Sequence, residues 1–394
     1  MKILTYSTLF PNEIHPQHGI FVENRLRRIV ETGEVFADVI APVPWFPFKQ
    51  EVFGHYGSLA RTEKSADRFG LSVRYPRYLT IPMVGMHLAP ELLYRGTVNQ
   101  VRQSVEKSGA MLIDAHYFFP DGVVAAKIGR ALGLPVVISA RGSDINLISR
   151  YEGPRKRIVE AANQAVAIIA ISHALRDRMI EIGVDRERIH VLRNGVDLEV
   201  FEPVSIQTAQ ANTGIDKPTM LAVGNILSSK GQDIAIRVLA HIPDLDLVIV
   251  GEGPDRQAFQ QLAIDLGVSD RVRFVGRVSQ TELKNWFSAA EFSVLASMRE
   301  GMPNVLLESM ACDTPVIANN VGGVPEIVSV PQAGRLISNR TPEALAAAIV
   351  DLRALPPKIG ATRAWAENFS WDPTVAGQVS LYREVLRDSL GSKT

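Results

Sequence analysis

A single cysteine, Cys312, supplies all the thiol chemistry of this 394-residue chain. One cysteine closes no internal disulfide and builds no thiolate zinc site, so the composition suits a reducing compartment. An excess of charge is missing as well: 42 Lys and Arg balance 42 Asp and Glu. A net charge of zero argues against a dedicated nucleic-acid binder, and no nucleic-acid partner is expected. Long apolar runs are also absent. The longest stretch without a charged residue, Ala161–Leu175, has 15 residues and includes Asn163, Gln164, Ser172 and His173. A membrane-spanning helix needs about 18 apolar residues. The opening MKILTYSTLFPNE lacks the apolar core of a signal peptide. The reading is a cytoplasmic protein, with contact at the inner face of the cell membrane left open. What is present, 46% hydrophobic and 21% charged residues, excludes wholesale disorder. The length predicts two or three domains.

Short apolar runs alternate with segments of helical period. Lys2–Ser7, Phe36–Ala41, Met111–His116, Val136–Ser139, Ala167–Ile171 and Ile189–Leu192 form one set of predicted strands. Met220–Val223, Leu245–Val250, Val272–Val275, Phe292–Leu295 and Val316–Ala318 form a second. Continuous apolar runs of four to six residues belong to strands buried on both faces, as in parallel sheets covered by helices. Asp233–His241, Asp255–Leu266 and Thr281–Ala290 carry the helical spacing between them. The result is an α/β architecture. The polar stretch Pro203–Pro218 interrupts the rhythm. It divides the chain into residues 1–203 and 204–373, with Ala361–Leu390 read as helix. Ligands of such sheets bind beyond the carboxyl ends of the strands, so the loops there are the places to look for chemistry.

The most specific segment is Glu300–Glu308, EGMPNVLLE, which follows a predicted strand and opens a helix near Pro303. Proline suits a first helical turn, and the free N–H groups there can receive an anion. Two glutamates about two turns apart cannot form a close pair but can address separate hydroxyls of one extended ligand. Ordinary surface glutamates on a capped helix would look the same. Gly224–Gly231, GNILSSKG, follows the first strand of the second half and offers Lys230. His116 ends a strand in IDAHYFFPDG, and Arg141 and Asp144 follow another in ARGSD. His15–Gly19 follows the first strand, and Gly19 permits close approach of a backbone. No metal-binding pattern is apparent, and no G-x-G-x-x-G opens the chain, which counts against a dinucleotide-dependent oxidoreductase.

Glu300–Glu308 resembles the E-x7-E signature of retaining glycosyltransferases of family 4, which have the GT-B fold. GNILSSKGQDIAI, VIVGEGPDR, RVRFVGRVSQTEL and ISHALRDRMIEIGVDRERIHVLRNGVDLEVFEP are similar to that family's other motifs and follow in its order over nearly the whole chain. The resemblance implies two doubly wound Rossmann-like domains facing each other across a cleft, with a final helix at about 374–394 returning to the N-terminal domain. It implies transfer of a sugar from a nucleotide diphospho-sugar, most often a UDP- or GDP-sugar, to a glycan or lipid-linked acceptor. No metal or other cofactor is expected.

The resemblance also distributes roles. Glu300 would contact the donor sugar and Glu308 the ribose. Gly301, Met302, Pro303, Asn304 and Val305 would line the sugar and phosphate pocket. Lys230 would clamp the diphosphate, with Asn225 standing where the family carries arginine. Arg277 and Val278 match the loop that meets the base, and Gly19 matches a glycine loop near the diphosphate. His116 would contact the sugar or sit as a satisfied hydrogen-bonding core residue. Arg141 would supply the second charge on the diphosphate or sit as a solvent-facing arginine, and Asp144 would orient an acceptor hydroxyl or cap a helix. Trp45, Phe46, Phe48, Phe53 and Tyr56, beside Arg61, Lys64 and Arg68, would touch a membrane or pack beneath an acceptor loop. Two rival readings stay open: a non-catalytic nucleotide-sugar-binding subunit, suggested by Asn225 and by Asp313 where glycine is usual, and a GT-B nucleotide-sugar epimerase.

Overall fold

The computed structural model describes residues 1–48, 50, 54–80 and 85–391, and it divides into two compact units. Met1–Leu192 and the C-terminal segment from Asp372 form the first; Arg193–Trp371 form the second. The crossing at Leu192–Arg193 lies ahead of the Pro203–Pro218 stretch where the sequence suggested a boundary.

The first unit contains β1 (Lys2–Tyr6), β2 (Phe36–Ile40), β3 (Val43–Trp45), β4 (Ser65–Arg68), β5 (Leu71–Arg74), β6 (Arg77–Leu79), β7 (Leu112–His116), β8 (Val136–Ala140), β9 (Ala167–Ala170) and β10 (Ile189–Val191). Its main sheet runs β10-β9-β8-β7-β1-β2-β5-β4, parallel except for the β4–β5 pair, while β3 and β6 pair with each other. Every residue of β7, β8 and β9 is buried, the polar Asp114, His116 and Ser139 included, as befits strands covered on both faces. The sequence pattern did not single out β3 to β6. They are three or four residues long, and β4 carries the half-exposed polar sequence SADR. β4 and β5 join at Phe69-Gly70, both with positive φ (54° and 79°), the mirrored turn that suits a two-residue hairpin.

The second unit contains β11 (Thr219–Val223), β12 (Asp246–Val250), β13 (Val272–Gly276), β14 (Phe292–Leu295), β15 (Val316–Asn319) and β16 (Gly334–Ile337). The sheet is wholly parallel, in the order β13-β12-β11-β14-β15-β16. This is the doubly wound dinucleotide-fold order. Met220, Leu247, Ile249, Phe292 and Ile317 pack with helical residues such as Ile236, Phe259 and Leu345 in one core.

The late segment Ala361–Leu390, read from sequence as one helical stretch, is broken. Helix Ala361–Ala366 runs into a short 3-10 turn ending at Phe369, and a second helix starts at Asp372. Ser370 is extended (φ −62°, ψ 162°), and Pro373 sits in the first turn of the new helix, where proline is at home. No helix among the described residues is long and apolar enough to cross a membrane.

Candidate active site

In each unit the chain reverses its direction of strand addition at one point, and the loops beyond the carboxyl ends of the two strands there form a crevice. In the second unit that point lies between β11 and β14. The loop after β11 carries Lys230 and the loop after β14 carries Glu300, and their side chains meet: Lys230 Nζ lies 2.7 Å from Glu300 Oε1. The Lys230 side chain is about a third exposed and that of Glu300 is nearly buried (32% and 9%), so the ammonium faces outward over a recessed carboxylate. Two residues that sequence reading did not single out brace these loops. Arg340 donates to the carbonyls of Ala296 (2.8 Å) and Ser228 (2.6 Å), and Gln232 donates to the carbonyl of Asn225 (3.0 Å). Arg340 lies outside the quoted motifs and ties two distant loops, whereas Gln232 lies within GNILSSKGQDIAI and braces the loop after β11 from inside. The Asn225 residue itself is exposed.

Helix Asn304–Ala311 begins directly after Pro303, which occupies the N-cap, and Met302 and Pro303 are buried beneath it. Asn304 Oδ1 accepts from Asn194 Nδ2 at 3.0 Å. Glu308 lies on this helix with its carboxylate lacking a hydrogen-bond partner among the described residues, and burial alone pushes its pKa up to about 7. The same apolar surroundings raise the Cys312 thiol to about 12, which makes that thiol inert. Arg277 and Val278 follow β13, beyond Gly276. Asp313 adopts a left-handed conformation (φ 62°). Its carboxylate accepts from Gly360 N (2.6 Å) and Arg363 N (3.0 Å), capping the helix Ala361–Ala366.

The Glu300 loop rests on a second glycine-bearing loop. Gly322 has φ 52°, and a Cβ there would lie 2.0 Å from the Glu300 carbonyl oxygen; Gly323 N also donates to Gly301 O at 3.1 Å. Gly322→Ala must therefore push the Glu300 backbone away while straining its own. We expect a loss of ~1–3 kcal/mol of stability and a disproportionate loss of turnover. Thermal unfolding and initial rates on the purified variant check both.

In the first unit the reversal lies between β1 and β7. Gly19 caps the helix Ile20–Glu31 with φ 70°, and a Cβ on it would lie 2.2 Å from the Leu9 carbonyl carbon. The close approach this glycine permits is thus that of its own loop. Asp121, also missed from sequence, anchors the same loop, accepting from Thr8 N (2.7 Å), Thr8 Oγ1 (2.9 Å) and Ser7 Oγ (3.4 Å). Burial raises its pKa to about 7, against those hydrogen bonds.

His116 ends β7, and Asp114 precedes it by two residues, so strand alternation puts both on one face. His116 Nε2 bonds Asp114 Oδ2 at 2.8 Å, and Arg141 Nη2 donates to His116 Nδ1. The histidine is 1% exposed, and both ring nitrogens are engaged. A sugar hydroxyl would have to displace one of these partners to reach the ring. Burial lowers the His116 pKa, and Asp114 only partly offsets it, so the ring is neutral near pH 7. Arg141 is buried; desolvation and Arg25 bring its pKa down to about 9, leaving it charged at neutral pH. Asp144 lies in the first turn of the short helix Ser143–Asn146, whose N-cap is Gly142, and its carboxylate is spent on backbone groups. Its oxygens accept from the backbone N–H groups of Phe118 (2.7 Å), Arg141 (3.1 Å) and Gly142 (2.8 Å). Arg68, read from sequence as a cation beside the aromatic stretch, forms a bidentate pair with the buried Glu23 at 2.5 and 3.1 Å. Trp45 and Phe48 are about half exposed (48% and 49%); Phe53 and the Tyr56 side chain lie outside the described residues.

Two doubly wound units, each with polar and charged side chains gathered at its switch point, define the GT-B class of nucleotide-sugar enzyme folds. The chain belongs to the family 4 glycosyltransferases: the description "Glycosyltransferase Family 4" matches residues 51–200 and "Glycosyl transferases group 1" matches residues 205–368. It is 30% identical over 309 residues to D-inositol 3-phosphate glycosyltransferase 1 of Catenulispora acidiphila, covering 71% of this chain and 73% of that one. Among solved structures it is similar to sucrose-phosphate synthase from Thermosynechococcus elongatus, with a TM-score of 0.80 at 20% identity, covering 98% of this chain and 100% of the other. It is also similar to Anabaena Alr3699/HepE, solved in complex with UDP-glucose, with a TM-score of 0.75 at 21% identity over 98% and 99% of the two chains.

Proposed function

We propose that this glycosyltransferase is a retaining enzyme that moves a sugar from a nucleotide diphospho-sugar, a UDP- or GDP-sugar, to a glycan or lipid-linked acceptor. The observation that carries this reading is the Lys230–Glu300 pair at the β11/β14 switch point. A nucleoside diphosphate gains negative charge as the glycosidic bond breaks, and a cation already held there stabilises it without reorganisation. Lys230 and the first N–H groups of helix Asn304–Ala311 fill that role with no metal required. Glu300 then takes the sugar hydroxyls and Glu308 the ribose. Gly301 to Val305 line the pocket, Arg277 and Val278 meet the base, and Asn225 offers a hydrogen bond but no charge. The acceptor attacks on the face the diphosphate leaves, and a departing phosphate oxygen takes its proton. Arg141, charged and buried at the end of β8, meets an anionic or hydroxyl group of substrate in the first unit. The half-exposed Trp45 and Phe48 suit peripheral contact with the membrane that would carry a lipid-linked acceptor.

Saturation-transfer NMR with UDP-, GDP- and ADP-sugars tests the reading. Transfer to one donor, lost in Glu308→Ala, is the expected result, and the anomeric configuration of the product then reports retention. A folded protein that binds no donor, or a product of inverted configuration, would sink it.

A further inference from the structure

The contacts behind His116 extend well beyond it. Arg25, on helix Ile20–Glu31, and Gln378 and Tyr382, on the helix starting at Asp372, are fully buried. Arg25 Nε donates to Gln378 Oε1 (2.6 Å), Arg25 Nη1 donates to the Leu192 carbonyl (3.2 Å), and Gln378 Nε2 donates to the Tyr382 hydroxyl. Asp114 lies within reach of the fields of Arg25 and Tyr382. Its Oδ2 bonds His116, and its Oδ1 is buried with no partner in hydrogen-bond geometry.

An ionised carboxylate accepts and never donates, so Asp114 draws the ring proton of His116 onto Nε2. Nδ1 is then left with a lone pair, and Arg141 donates into it. A guanidinium has only donors. The opposite tautomer would set an N–H against it, and so would an imidazolium. Asp114 therefore decides whether the ring can hold Arg141. An apolar pair of similar volume would give the strand interior comparable stability without desolvating a charge. We propose that Asp114 is a positioning residue for sugar transfer: through the His116 tautomer it fixes the Arg141 guanidinium at the carboxyl end of β8. The inference rests on the reading of Arg141 as a substrate contact.

The His116 ring nitrogens can be read directly by nitrogen-15 NMR of the whole protein, assigned by the signals missing from His116→Gln. Protonated Nε2 and bare Nδ1 are expected in the unsubstituted protein; protonated Nδ1 overturns the proposal with no folding question attached. Asp114→Asn should shift the tautomer and lower kcat ten- to a hundredfold, with donor affinity within twofold of the parent. Parental kcat, or an unchanged tautomer, counts against it. Glutamine at position 116 can donate to Asp114 and accept from Arg141 at once. His116→Gln should therefore keep at least tenfold more turnover than His116→Leu, and equal losses contradict the relay. Arg141→Ala separates the two levels. If it transfers sugar at the parental rate, the substrate contact itself is wrong. If it is slow while Asp114→Asn is not, only the relay fails.

Discussion

Lys230→Ala is expected to lower kcat by a hundredfold or more while leaving the thermal transition of the protein close to that of the parent. Two losses combine. The first is the cation that meets the leaving diphosphate; removing one preorganised group of this kind costs about 3–4 kcal/mol in the transition state. The second follows from the pair itself. Glu300 Oε1 lies 2.7 Å from the ammonium, and its side chain is only 9% exposed. Without the Lys230 ammonium beside it, that carboxylate would repel an incoming diphosphate more strongly, and donor affinity should fall as well. Neutralising the partner should relieve this second effect alone. The double variant Lys230→Ala, Glu300→Gln is therefore expected to bind donor better than Lys230→Ala and to turn over no faster. That non-additivity is the signature of side chains in contact. Initial rates and donor titration on the four proteins check it; parental turnover in Lys230→Ala would remove the lysine from the mechanism.

Why are Lys230 and Glu300 legible in the sequence, and the Asp114–His116–Arg141 chain only in part? The first two sit in loops after apolar strands, and the doubly wound order alone brings the ends of β11 and β14 side by side. Strand and loop can be read from hydrophobic runs, so the place of the pair can be too. His116 and Arg141 are legible as ends of strands for the same reason. What they touch is not. The bond between His116 and Asp114 follows from strand alternation, but Asp114 is a lone acid inside an apolar run. Nothing in its neighbourhood says that helix residues Arg25 and Tyr382, from opposite ends of the chain, close over the same face. Arg340 illustrates the same limit. Its bonds to two loop carbonyls depend on three segments meeting in space, and no spacing records that. The short strands β3 to β6 escaped for a simpler reason: half-exposed pairs such as SADR with LSVR bury too little apolar surface to leave a pattern.

Glu308→Gln should stabilise the unliganded protein and weaken its hold on donor, and pH separates the two effects. Burial raises the Glu308 pKa from 4.5 to about 7, so the fold favours the protonated acid. Stability linked to this group is complete below about pH 4.5 and is lost as pH rises through about 7. The difference amounts to at most about 3 kcal/mol at pH 8, since a tenfold change in proton affinity is worth about 1.4 kcal/mol. Glutamine is neutral at every pH. The variant should thus gain up to about 3 kcal/mol over the parent at about pH 8 and nothing at about pH 4.5. Binding runs the other way. The ionised carboxylate can accept from both ribose hydroxyls, whereas the amide has one acceptor oxygen. A lost hydrogen bond to a charged group costs about 1.5–3 kcal/mol, or roughly ten- to a hundredfold in donor affinity at pH 8. Protonation of Glu308 should also weaken donor binding to the parent by about tenfold between pH 8 and pH 6, a change that Glu308→Gln must lack. Denaturant unfolding and calorimetric titration with the nucleotide sugar at pH 6 and pH 8 measure all four quantities. A pH-independent donor affinity in the parent would mean that Glu308 does not hold the ribose, even if the stability gain emerges as expected.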